Sequence, residues 1–193
     1  MTVTGISRAR EEAPMPTADG TLEEIDGRYV LRFERRYTHP VERVWDALST
    51  PARLTEWFGA SDIELELAEG GRFEVRTTEP PELVEAVIRE AGEEALVQHN
   101  TVLRVERPLV FEHTFGDRDS IVRWELQREG DGCRLLLTHT EPSEFPKTYA
   151  PRDLSGWHYL LDRLARTLDG RSAGEWQAAV WEGHRDRYTE RVR

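Results

Sequence analysis

Apolar residues recur at every second position in some stretches of this chain and at every third or fourth in others, and the order of these two periods predicts the fold. The segment TLEEI, the pair Asp26-Gly27 and the segment RYVLRFERRYT predict two strands joined by a two-residue turn, because Asp-Gly tolerates the positive φ that a type I′ hairpin demands. In the second strand Leu31, Phe33, Arg35 and Tyr37 share one face, while Val30, Arg32, Glu34 and Arg36 share the other. The period then switches. Val41, Val44, Trp45 and Leu48 fall at helical spacing, with Pro40 in the first turn, where a helix tolerates proline. Thr50 and Pro51 start a second short helix whose apolar face holds Leu54, Trp57 and Phe58.

Six more strands are predicted at 61–68, 71–78, 95–106, 109–116, 120–128 and 133–140. The turns between them hold Gly70-Gly71, Pro108, Gly116-Asp117 and Gly130-Asp131-Gly132, and such short connections suit an antiparallel meander. Within 79–94, Leu83, Val84, Val87 and Ile88 are spaced like a helix, against the weak helix propensity of β-branched residues. The clearest helix runs from Pro151 to about Asp169, where Leu154, Trp157, Leu160, Leu161, Leu164 and Leu168 form a wide stripe that Gly170 ends. A stripe of that width must lie on a large apolar surface. Trp176, Val180, Trp181 and Tyr188 extend the helical pattern over 173–191. The fold class is α+β, with about seven antiparallel strands around a long C-terminal helix. We expect a flexible tail at 1–20, one domain at 21–170 and a helical extension at 171–193.

Charge narrows the partners. With 26 basic residues against 37 acidic ones the net charge is -11, the wrong sign for a protein that binds nucleic acid or an anionic membrane surface. The chain has no long apolar run, and its start, MTVTGISRAREEAPMPTADG, lacks the apolar stretch of a secretory signal. A cytoplasmic location is expected. Lys147 is the single lysine, so the arginine richness reflects coding composition before function. Cys133, the single cysteine, excludes an internal disulfide or a multi-cysteine zinc site and reads as an inert thiol. Neither a cofactor nor a tight structural metal is expected, since the histidines are scattered and supply no closed set of ligands at the usual spacings.

The phosphate-loop, dinucleotide, zinc-protease and nucleophile-elbow motifs do not occur in the sequence. His113 alternates with Phe111 and Phe115, and His139 with Leu135 and Leu137. Each can bind a metal or move a proton, or can serve as a hydrogen-bonded polar group at the edge of an apolar interior. Arg35 has two readings as well: an anchor for a ligand's carboxylate or hydroxyl, or a side chain that reaches a surface acid. The aromatic residues Trp57, Phe58, Phe73, Phe111, Trp124 and Trp157 come from helices and strands alike. One curved sheet gripping one long helix brings most of them to a shared interior, either as solid packing or as the wall of a small-molecule pocket.

The order of strand, two short helices, meander and long helix, carried by LRFERRYTHPVERVWDALSTPARLTEWFG (31–59), GGRFEV (70–75), VLRVERPLVFEHTF (102–115), VRWELQREGDGCRLLLTH (122–139) and GWHYLLDRLARTLDG (156–170), resembles the helix-grip fold of the START-like (SRPBCC, birch-pollen-allergen-like) superfamily. The closest resemblance is to the bacterial family related to the C-terminal domain of the activator of the 90-kDa heat-shock protein ATPase. It covers about residues 22–170, and its elements look like packing signatures rather than catalytic ones. The stretch 79–94 departs from the family by its length. The resemblance implies a cavity for a small hydrophobic or amphipathic ligand. Leu103, Phe111, Trp124 and Leu137 are expected to point inward from the sheet and Trp57, Trp157 and Leu161 to face them from the helices, with Phe73, His113, His139 and Arg35 completing the site. A polyketide cyclase or aromatase-like enzyme using the same cavity is the alternative, and a chaperone-activating interaction protein is a second one.

Overall fold

The computed structural model describes residues 18–116, 119–142 and 144–192, apart from the side chains of Leu83, Ala86 and Glu90. Residues 1–17 of the tail expected at 1–20 lie outside the described residues, as does Asp117 of one predicted turn. Strand β1 (Thr21–Ile25) and strand β2 (Arg28–Tyr37) form the expected hairpin. Asp26 and Gly27 both take positive φ, 52° and 76°, the type I′ requirement. Helix α1 (Val41–Ser49) follows, and buries Val44, Trp45 and Leu48. Helix α2 (Pro51–Leu54) is shorter than the apolar spacing implied. The amides of Trp57 and Phe58 still bond the Leu54 carbonyl, at 3.2 and 2.9 Å, so a tightening turn carries both aromatic residues onward.

Strands β3 (Ala60–Leu65) and β4 (Arg72–Thr77) precede helix α3 (Pro81–Ala91), which forms despite its β-branched residues. Strands β5 (Val97–Glu106), β6 (Val110–Thr114), β7 (Ile121–Glu129) and β8 (Gly132–Thr140) complete one eight-stranded antiparallel sheet in the order β1-β2-β8-β7-β6-β5-β4-β3. Helix α4 (Ala150–Leu168) lays Leu154, Trp157, Leu161 and Leu164 into the core that the sheet's inward residues share. Gly170, at φ 74°, turns the chain out of it. Helix α5 (Ala178–Val192) packs on α4 and buries Tyr188.

Registry across the sheet places the inward residues in rows. Phe33, Leu137, Trp124 and Phe111 are consecutive partners in one row; Leu31, His139, Val122, His113 and Val102 are partners in the next. Arg35 belongs to a third row, with Leu135 and Leu126.

One inward expectation is corrected. Leu103 is 37% exposed, whereas Val102 is fully buried opposite His113. The register shifts between Val102 and Arg104, and a bulge of that kind sends one extra residue to the wrong face.

Candidate functional site

The concave face of the sheet and α4 enclose a continuous aromatic group. Trp57 meets Trp124 edge to face, with centroids 6.1 Å apart, and Trp124 meets Trp157 at 5.5 Å. Phe58 adds to one end at 6.1 Å from Trp157, and Phe115 to the other at 5.3 Å. Phe73, Phe111 and His113 continue the wall, with the imidazole edge-on to Phe73 at 4.8 Å. Leu137 and Leu161 are fully buried in the same core. The structure therefore brings together every expected site residue except Leu103 and Arg35.

The two histidines have defined roles. His113 Nδ1 lies 2.7 Å from the Thr114 carbonyl, and its Nε2 accepts from the Trp124 indole N–H at 3.3 Å. A carbonyl only accepts and an indole only donates, so the proton sits on Nδ1. Burial pushes His113 down to about 4, which keeps the ring neutral. It is a satisfied polar bridge within the wall.

His139 differs. Its Nδ1 accepts from the Trp157 indole N–H at 3.0 Å and lies 3.3 Å from Oε1 of Glu141, and neither side chain has more than 2% exposure. Phe115 stands edge-on to the imidazole at 5.3 Å. Sequence reasoning did not single out Glu141, although it continues the inward parity of Cys133, Leu135, Leu137 and His139. The Glu141 amide bonds the Tyr29 carbonyl at 2.9 Å, which extends the alternation past the end of β8. With the Nδ1 lone pair taken by the indole, the proton of a neutral His139 is on Nε2, and the Glu141 carboxyl beside the ring is the group that can give or take a proton.

Arg35 lies apart. Four residues of strand, about 13 Å, separate its partner Leu135 from His139. Its Nη1 donates to the carbonyls of Ala18 and Glu34, at 2.6 and 3.0 Å, and the guanidinium stacks 5.5 Å from the Phe33 centroid. Burial pulls its pKa below the usual arginine range. Instead of reaching a surface acid, it ties the segment before β1 to the sheet. Cys133 is buried, and its thiol is held above the ordinary range by that burial. Among the described residues no helix is long and apolar enough to cross a membrane.

The architecture matches known structures. The crystal structure of CalU16 from Micromonospora echinospora aligns with a TM-score of 0.63 at 23% identity, covering 90% of this chain and 97% of that one. The solution structure of protein BPP1335 from Bordetella parapertussis aligns at 0.65 with 29% identity, covering 91% and 94%. DynU16, described as a putative protein in the dynemicin biosynthetic locus, aligns at 0.58 with 22% identity, covering 76% of this chain and 49% of that one. No curated protein matches. Residues 38–169 match the family model described as activator of Hsp90 ATPase homolog 1-like protein, a span from the residue after β2 to the residue after α4, and the chain belongs to that family.

Proposed function

We propose that this protein binds one small hydrophobic or amphipathic molecule, aromatic by preference, between the concave face of the sheet and α4. The indoles of Trp57, Trp124 and Trp157 would form the wall, with Phe73, Phe111, Leu137 and Leu161 behind them, His113 bridging within it and His139 as the polar contact; Leu103 drops out and Arg35 belongs elsewhere. The observation that carries this reading is the His139–Glu141 pair, buried at the end of an aromatic wall. The pair gives an otherwise aromatic interior one polar end, which is the complement of a ligand with an apolar body and one polar end. DynU16, a fold neighbour described as belonging to a biosynthetic locus, supports small-molecule chemistry over a chaperone-activating role. The cytoplasm is the compartment this reading fits.

The same pair favours turnover as a second reading. A cyclase-like reaction needs a positioned group that gives and takes a proton, and Glu141 with His139 is placed to do so.

The test is a screen of fatty acids, flavonoids and polyketide-like aromatics by tryptophan fluorescence and thermal shift. A ligand that binds the folded state alone raises the melting temperature by mass action. Leu137→Trp is expected to abolish that shift at a stability cost below the ~1 to 3 kcal/mol of overpacking a filled core. No shift from any compound, together with a larger loss of stability in Leu137→Trp, refutes the binding reading. Glu141→Gln separates binding from turnover, since it leaves apolar contacts intact and removes the proton carrier.

A further inference from the structure

Away from the aromatic interior, α4 and α5 meet along a polar seam. His158 and Asp162 stand one helical turn apart on α4, and His184 comes from α5. The Nε2 atoms of both histidines lie 3.7 Å from the same carboxylate oxygen, Oδ2 of Asp162. All three donor atoms fall within 4.8 Å of one another. The His158 side chain is only 2% exposed, and His184 Nε2 is a buried atom that makes no hydrogen bond.

His158 is oriented from behind. Its Nδ1 lies 2.7 Å from the Tyr188 hydroxyl, which accepts from the Gly20 amide at 2.8 Å. The hydroxyl can donate its own proton to Nδ1 or take Nδ1–H as a second; in the second arrangement, the one metal binding requires, the Nε2 lone pair faces Asp162. Outer hydrogen bonds of this type fix the tautomer of metal-ligating histidines.

We infer that His158, Asp162 and His184 bind a single divalent transition-metal ion, zinc by preference, that clasps α5 to α4. Two imidazole nitrogens and one carboxylate oxygen are a zinc donor set, and metal bonds of about 2.0–2.2 Å put tetrahedral donors roughly 3.4 Å apart, a few tenths of an ångström inside the 3.7 Å seen. The two rings are stacked at 4.2 Å and 22°, so their lone pairs converge only after His184 rotates.

Arg187 defines what that rotation displaces. Its Nη2 lies 3.0 Å from His184 Nδ1 and 2.8 Å from Asp19 Oδ1. A metal-bound His184 carries its proton on Nδ1, so the guanidinium must leave it and keep only Asp19. The positive charges of Arg187 and Arg35 weaken the site, while Asp162 and Asp19 offset them. The affinity is expected to lie below that of a closed four-ligand site. The site joins two parts of the chain of different standing: His158 and Asp162 lie within the family-matched residues 38–169, and His184 lies beyond them.

The test uses chelator-treated full-length protein titrated with zinc by calorimetry and with cobalt(II) by visible absorption. One equivalent should bind, with the intense bands of four-coordinate cobalt. Asp162→Asn and His184→Ala should each weaken binding more than Tyr188→Phe, for which about 10-fold is expected of an outer hydrogen-bond partner. His39→Ala and His99→Ala, surface histidines each beside one carboxylate, should change nothing. Absence of both heat and cobalt bands overturns the assignment, as does binding that survives Asp162→Asn or is lost in the surface variants. Should His184→Ala fail to fold, the cobalt spectrum of the unaltered protein and the Asp162→Asn titration decide alone.

Discussion

His113 makes stability depend on pH in a way that one substitution removes. The ring is 2% exposed, and its folded value of about 4 lies below the ordinary 6.5. The folded state therefore binds the proton less readily than the unfolded chain. Stability is complete above pH 6.5 and is lost as pH falls toward 4, below which both states are protonated and the loss stops. Summed over protonation states, the loss between pH 7.5 and 4.5 is about 2.5 kcal/mol, out of roughly 3.4 kcal/mol for the full shift. His113→Phe removes this titration and sets a third phenyl ring beside Phe73 and Phe111. It also leaves the Trp124 indole N–H, now 3.3 Å from His113 Nε2, without a partner, at a cost of about 1–3 kcal/mol. The variant should be the less stable protein at pH 7.5, and the gap should close or reverse by pH 4.5. Urea unfolding followed by circular dichroism at both pH values measures this, and the difference between the two proteins cancels every group titrating equally in both. Parallel curves, with a difference unchanged within about 0.5 kcal/mol, would refute the neutral-bridge assignment.

Three further outcomes follow from the packing. Leu103→Ser should change stability by less than about 0.5 kcal/mol, whereas Val102→Ala should cost about 2 kcal/mol for the buried methyl groups it removes; denaturant midpoints distinguish them, and equal effects would place the bulge wrongly. Gly20→Val should displace the segment before β1, because a Cβ there would lie 2.3 Å from the Phe33 ring; proteolysis near residue 20 should speed up and the melting temperature fall. Cys133, buried and with its pKa raised, should react with a thiol reagent only after unfolding, and rapid labelling of the native protein would contradict its burial.

The strands were legible because period-2 alternation survives in a sheet with one buried face, and the rows of inward residues follow from it directly. Helix α3 was harder: its spacing and its β-branched composition pointed in opposite directions, and spacing prevailed. The bulge in β5 left no trace, since a slip of one residue changes which face Leu103 takes without changing the sequence period. Glu141 was readable in principle, because it keeps the parity of His139, but the strand reading ended at Thr140. The contacts of Arg35 with Ala18, and of His158 with His184, depend on how the two ends of the chain pack on β2 and α4. No local pattern encodes such pairings, and scattered histidines gave no ligand spacing to notice.

The position of β2 has a consequence for how the protein is made. Its neighbours in the sheet are β1, which precedes it, and β8, which pairs with it through Phe33 and Leu137. On a ribosome, the apolar face of Leu31 and Phe33 must wait through the synthesis of six more strands' worth of chain before its partner emerges. Pairings this distant in sequence close slowly, and an unpaired strand edge invites association with other chains meanwhile. The opposite face of β2 carries Arg32, Glu34 and Arg36, charges that discourage such contacts. Their mixed signs later join Glu23, Arg134 and Glu129 in ion pairs across the finished sheet, so the residues that guard the waiting strand become part of its surface once β8 arrives.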